Sequence, residues 1–121
     1  TELLEVATAL TQGEERYGIT LGGKNNGVLG NDIQHWTNQA GGAINALDHP
    51  GSKEALVFYK DLFAKHKVAP PSVPQDDYGA SFQGFLDNKY AIWWVWDGFY
   101  GSFRTNPDFW KDQVSAFLPP R

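Results

Sequence analysis

YAIWWVWDGFYGSF, residues 90–103, carries aromatic rings at seven of its fourteen positions. From Tyr90 to Trp96 the run is β-branched, aromatic and almost continuously apolar, the pattern of a strand buried on both faces. Asp97 is a good N-cap, and Phe99, Tyr100 and Phe103 then recur at helical spacing. The stretch therefore reads as a buried strand that ends in a tight turn and launches a short helix. In open α/β sheets ligands gather at such junctions, at the carboxyl ends of the strands.

Working outward, the chain alternates helical and strand patterns. Thr1 caps a helix to about Gln12, with Leu3, Leu4, Ala7 and Leu10 on one face and Glu2 and Glu5 at its start. Gly13 stops it, and residues 17–21 (YGITL) form a short strand in which Gly18 marks a close backbone approach. Residues 22–30 (GGKNNGVLG) read as a loop. Asn31 or Asp32 then caps a helix to about Ala40, with Ile33 and Trp36 inward and Gly41-Gly42 at its end. A short strand at 43–47 and a turn at 48–51 follow. The most secure helix is 52–66, capped by Ser52, with Ala55, Leu56, Tyr59, Leu62, Phe63 and His66 in a stripe at i, i+3, i+4, i+7 spacing. The proline-rich 68–74 (VAPPSVP) is an extended connection. Asp76 and Asp77 open a helix lined by Tyr78, Phe82, Phe85 and Leu86, and 87–89 turns into the aromatic strand. Beyond it, 107–112 reads as one or two helical turns anchored by Phe109 and Trp110, and 114–118 as a last strand. The sum is an α/β layer fold, a single domain spanning 1–121.

Bulk properties narrow the function. The net charge of −4, with Lys and Arg scattered singly, gives no basic footprint for nucleic acid. No apolar run approaches the ~20 residues of a membrane span. Cys is absent, so disulfides and thiolate metal sites are excluded. The chain begins at Thr1 and contains no Met, which reads as a mature form, a proteolytic product or an excised fragment.

Catalytic signatures are weak. The glycines at 22, 23, 27 and 30 do not have GxGxxG spacing, and no Lys-Ser/Thr pair follows them. His35, His49 and His66 form no metal-ligand spacing, and Ser102 lacks the GxSxG elbow. Asp76, Asp77 and Asp97 could pair as acid and base, but helix capping accounts for all three. The expectation is a non-catalytic protein that needs no cofactor and no metal.

The order of the pieces resembles the C-terminal lobe of a family 1 extracellular solute-binding protein, the maltose-binding-protein-like sugar receptors of ABC importers. The resemblance rests on ELLEVATAL followed by YGIT, on W-x-x-Q-x-G-G at 36–42, and on the helix EALVFYKDLFAKHKVAPPS. It continues through F-x-x-x-K-x-A-I-W-W at 85–94, DGFYGSF, and a closing strand ending in LP. It implies a three-layer-like lobe of a type II periplasmic binding protein, with helices on a short mixed sheet. Members of that family consist of two hinged lobes that close over a sugar and deliver it to a membrane permease, in the periplasm or outside the cell. This chain has no counterpart of the N-terminal lobe.

A sugar site needs aromatic faces against the CH patches of the ring, with carboxylates and amides for the hydroxyls. The end of the aromatic strand and its following turn offer both in Trp94 or Trp96, Asp97 and Tyr100. The family usually carries Gly-Pro-Trp after this strand. Here Asp97-Gly98-Phe99-Tyr100 stands there, so either Trp96 or Tyr100 takes the stacking place. The resemblance also nominates Asn31 and Asp32, in the segment before Trp36, whose alternative role is capping. Trp93 and Val95, on the strand face opposite Trp94 and Trp96, are assigned to the core, as is Trp36. A lobe without its partner would expose a large apolar face, so a self-associating, domain-swapped interaction module or homodimer is the alternative.

Overall fold

A computed structural model describes residues 1–103, 105, 108 and 112–117. Its centre is a pair of parallel strands, β1 (Tyr17–Thr20) and β2 (Tyr90–Trp93), in the register Tyr17 to Tyr90, Ile19 to Ile92 and Thr20 to Trp93. The backbone continues the pairing past both ends. The Tyr17 N–H donates to the Lys89 carbonyl at 2.9 Å and the Trp94 N–H to the Thr20 carbonyl at 3.1 Å. Among the described residues the sheet is thus two parallel strands, and the expected mixed sheet is not seen. Residues 114–117, expected to start a last strand, have no regular structure, and Leu118 lies outside the described residues. Of the 107–112 segment only Asp108 and Asp112 are described, both helical, so Phe109 and Trp110 also lie outside.

Parallel strands need a crossover, and here it holds most of the chain. Helix α1 (Glu2–Leu10) packs on β1 through Leu3 and Ala7. The approach is close enough that a Cβ on Gly18 would run into the Ala7 carbonyl, as its position in the strand led us to expect. Helix α1 is shorter than expected, and Leu10 is exposed at its end. Helix α2 (Val28–Gln39) starts well before Asn31. Its N-cap is Gly27, whose φ of +96° suits glycine. The early start puts Val28, Asp32 and Trp36 on one buried stripe at i, i+4, i+8. Asn31 and Asp32 are therefore helix-interior residues and not caps.

Helix α3 (Pro50–Ala64) also begins early. The His49 Nδ1 accepts from the Gly51 N–H at 3.2 Å, with Pro50 at the first helical position. Ser52, expected as the cap, instead lies buried inside the helix and ties down Ala43. Its Oγ donates to the Ala43 carbonyl and accepts from the Ala43 N–H, both at 3.1 Å. That anchor holds 43–47 in turns and leaves Ile44 and Leu47 exposed, so the short strand expected there is absent. The stripe of α3 buries Ala55, Tyr59 and Leu62, while His66 falls beyond the helix end and is exposed.

The proline-rich connection is more than a spacer. The Val68 carbonyl accepts from the Ile19 N–H at 3.0 Å, and Val68, Ala69 and Val73 are core residues. A 3-10 turn, Val73–Gln75, leads to α4 (Tyr78–Leu86), which Asp77 caps by accepting from the Ala80 N–H at 3.0 Å. Helix α4 packs on β2, where a Cβ on Gly84 would strike the Tyr90 ring, and its buried Ser81 donates its hydroxyl to the Leu21 carbonyl at 3.3 Å. Every residue of β2 is half-buried, which departs from the expected strand covered on both faces. After β2 come a 3-10 turn, Asp97–Phe99, and the single-turn α5 (Tyr100–Phe103).

The core gathers Ile19 and Leu21 from the sheet, Trp36 from α2, and Tyr59 and Leu62 from α3. Truncating fully buried Leu62 to Ala should cost about 2–5 kcal/mol. Val57→Ala, on the exposed side of the same helix, should stay within about 0.5 kcal/mol. Urea denaturation of both variants checks the assignment of the buried stripe.

Candidate functional site

A cleft of about 610 Å³ opens where β2 ends. Its walls come from α2 (Asp32, His35, Gln39), from α4 (Tyr78, Phe85), from 91–97 with Phe99, and from 114–117. The position follows from the topology: the last sheet hydrogen bond runs from the Trp94 N–H to the Thr20 carbonyl, and the chain then turns away from the sheet at its carboxyl edge.

The turn breaks the alternation expected of a strand. Alternation puts Trp93 and Trp96 on opposite faces, yet both meet Phe99. The Trp93 and Phe99 ring centroids are 4.9 Å apart, and those of Trp96 and Phe99 are 5.5 Å apart, each pair edge to face. Trp93 also packs on Phe82 at 5.4 Å and Phe85 at 5.9 Å, so it is half-buried in an aromatic cluster and borders the cleft. Trp94 turns the other way and stacks on core Trp36 at 4.4 Å. Trp36 is buried as expected. Trp96 keeps 47% of its surface exposed, an aromatic face available in the cleft wall.

The polar side of the cleft centres on Asp32, which is 2% exposed. Its Oδ2 accepts from the Gly22 N–H at 3.1 Å and its Oδ1 from the Tyr78 hydroxyl at 3.0 Å. Tyr59 completes the group by donating its hydroxyl to the Gly22 carbonyl at 2.9 Å. Gly22 has no room for a side chain, since a Cβ there would strike Val28. Burial pushes the Asp32 carboxyl up to about 7, against the pull of the bonds from Tyr78 and Gly22. Burial and the nearby Asp32 charge push Tyr78 up to about 12, and the same two causes raise Tyr59.

Of the five nominated residues, Trp96, Asp97 and Asp32 border the one cleft. Asp97 is exposed in the 3-10 turn. Asn31 is exposed on α2 and does not line the cleft. Tyr100 opens α5, and its side chain lies outside the described part. Sequence reasoning did not nominate Tyr78, Phe99, His35 and Gln39. A signal for two of them exists, because Asp32, His35 and Gln39 fall at i, i+3, i+7 once α2 starts at Val28.

The cleft lining, among the described residues, contains carboxylates, an imidazole, an amide and a phenol but no Lys or Arg. Among the described residues no three His, Asp or Glu side chains come together as a metal site. No helix among them is long and apolar enough to cross a membrane.

The fold matches a fragment of a periplasmic binding protein. The chain is similar to a solved, maltose-bound structure of T. maritima MalE3, with a TM-score of 0.67 and 27% sequence identity. The match covers 74% of this chain and 24% of that one, so this chain spans only a part of that protein's length. No protein-family model matches the sequence, and no curated protein matches it.

The raised carboxyl of Asp32 has a consequence for stability. A group held above its ordinary 3.8 stabilises the fold when protonated, and that contribution is lost as pH rises through about 7. Urea midpoints should therefore fall between pH 4 and pH 7 in the wild type, and Asp32→Asn should flatten that part of the profile. An unchanged slope in the variant would assign the titration elsewhere.

Proposed function

We propose that this chain is the carbohydrate-binding lobe of an ABC-importer solute receptor, a non-catalytic protein. The observation that carries the reading is the cleft at the carboxyl end of β2. There the exposed face of Trp96 lies beside Asp97 and the Asp32–Tyr78 pair, in a chain similar to a maltose-bound protein. Rings and hydrogen-bonding groups converging in one concave site suit a saccharide, whose faces are apolar and whose rim is hydroxylated. On this reading Trp96 stacks on the sugar and Asp97 accepts from its hydroxyls. Tyr100 remains nominated by its place in the turn after the aromatic strand, and Asn31 by the family resemblance. A second, N-terminal lobe closes the site by hinge motion, and the loaded receptor meets a membrane permease in the periplasm or outside the cell.

Half of such a clamp lacks the hydrogen bonds and water exclusion of its partner. Maltose should therefore bind this chain with millimolar affinity, as followed by amide chemical shifts. Trp96→Ala should weaken that binding by roughly two- to twelvefold, the worth of about 0.5–1.5 kcal/mol for an aromatic contact. Micromolar binding by the chain alone would rule out the half-clamp reading.

One observation favours a second reading. Trp96 and Phe117 are both large, exposed and on the same cleft, and β2 is only half covered. Such a face supports self-association or domain swapping between copies. Light scattering over a concentration series separates the two, since a strict monomer at high concentration leaves the sugar-binding lobe standing alone.

A further inference from the structure

We propose that Asp32 is a positioning residue of the cleft: by holding the Tyr78 hydroxyl it fixes the Phe99–Trp96 wall, and its protonation, which reverses that hydrogen bond, shifts the wall. As far as ligand binding is concerned, this rests on the saccharide reading above. The positioning itself does not.

The geometry is a relay. Ionised Asp32 accepts from two donors, the Gly22 N–H in the loop after β1 and the Tyr78 hydroxyl on α4. The carboxylate thereby pins α4 to α2 from a position almost closed to solvent. The Tyr78 ring meets Phe99 edge to face at 5.4 Å, and Phe99 meets Trp96 at 5.5 Å. A proton arriving at Oδ2 would face the Gly22 N–H, donor against donor. At Oδ1 it becomes the donor to the Tyr78 oxygen, and the Tyr78 hydrogen must swing away from Asp32. No covalent bond changes beyond the O–H of the acid. Tyr78 changes from donor to acceptor, the preferred position of its oxygen changes with it, and the ring stack it supports shifts.

Burial places this switch near neutral pH, at about 7. The titratable groups around Asp32 are Tyr59 on α3, Tyr78 and Asp77 on α4, Lys24 in the loop, and His35 and Asp97 on the cleft. Both tyrosines are pushed up, and Asp77 is held low by the Ala80 N–H and by Lys24, 3.4 Å away. His35, on the same helix as Asp32, is the group to control for.

The test follows the Trp96 indole N–H resonance of the ligand-free chain from pH 5 to pH 9. The wild type and His35→Gln should show a shift with its midpoint near 7. Asp32→Asn should show none, because it cannot ionise. Tyr78→Phe should show none either, because the relay is cut while the ring remains, and this second variant keeps the test open if Asp32→Asn fails to fold. A shift that survives in Tyr78→Phe, or one that disappears only in His35→Gln, overturns the proposal. Maltose affinity measured at pH 6 and pH 8 completes the experiment. A pH-dependence in the wild type that is lost in Tyr78→Phe supports the link to ligand. No maltose binding at either pH sinks the saccharide reading alone, and the Trp96 shift then still decides the positioning role.

Discussion

The parallel pairing of β1 with β2 is the constraint on which the rest depends. Two parallel strands cannot be joined by a hairpin, so the intervening chain must leave one end of the sheet and return to the other. Here that chain carries α2, α3, the 3-10 turn and α4. Its length allows α2 and α3 to pack on each other while the proline-rich connection lies against β1 and α4 against β2. The carboxyl ends of both strands then face the same side. The loop after β1 brings Gly22 to Asp32, and the turn after β2 brings Phe99 to Tyr78. The cleft is where these two exits meet.

Much of this was legible in the chain. The stripe of α3 and the caps and breakers around α4 specify those helices by period and by local chemistry, and both strands stand where the aromatic and β-branched runs lie. The errors have physical causes. Asn31 and Asp32 look like caps because a polar pair precedes an apolar helix face. The true cap is a glycine in the left-handed region, which uses no side-chain oxygen and leaves no such signal. Once the helix start moves, Asp32 changes from a solvated end residue to a buried acceptor. Residues 43–47 have a strand-like apolar pattern, but Ser52 claims the Ala43 backbone from a distance in sequence that local pattern does not reach.

The site was legible only at its exposed end. Trp96 and Asp97 announce themselves by standing where a strand gives way to a turn. Tyr78 and Phe99 do not, because each looks like an ordinary apolar-face residue of its own element. Their meeting depends on how α4 sits against the turn after β2, which is a tertiary fact. The same holds for Asp32, whose chemistry is set by burial and by donors from two other segments.

The wide sequence separation of β1 and β2 also governs how the molecule is assembled. Closing a long loop costs chain entropy before the contacts it permits can repay it. The α2–α3 pair, adjacent in the chain, bears little of that cost. The sheet bears nearly all of it, and with the sheet goes everything mounted on its carboxyl edge. The aromatic wall of the cleft is thus tied to a long-range closure, so that a chain with formed helices but an unpaired β2 would have its rings exposed and its cleft unmade.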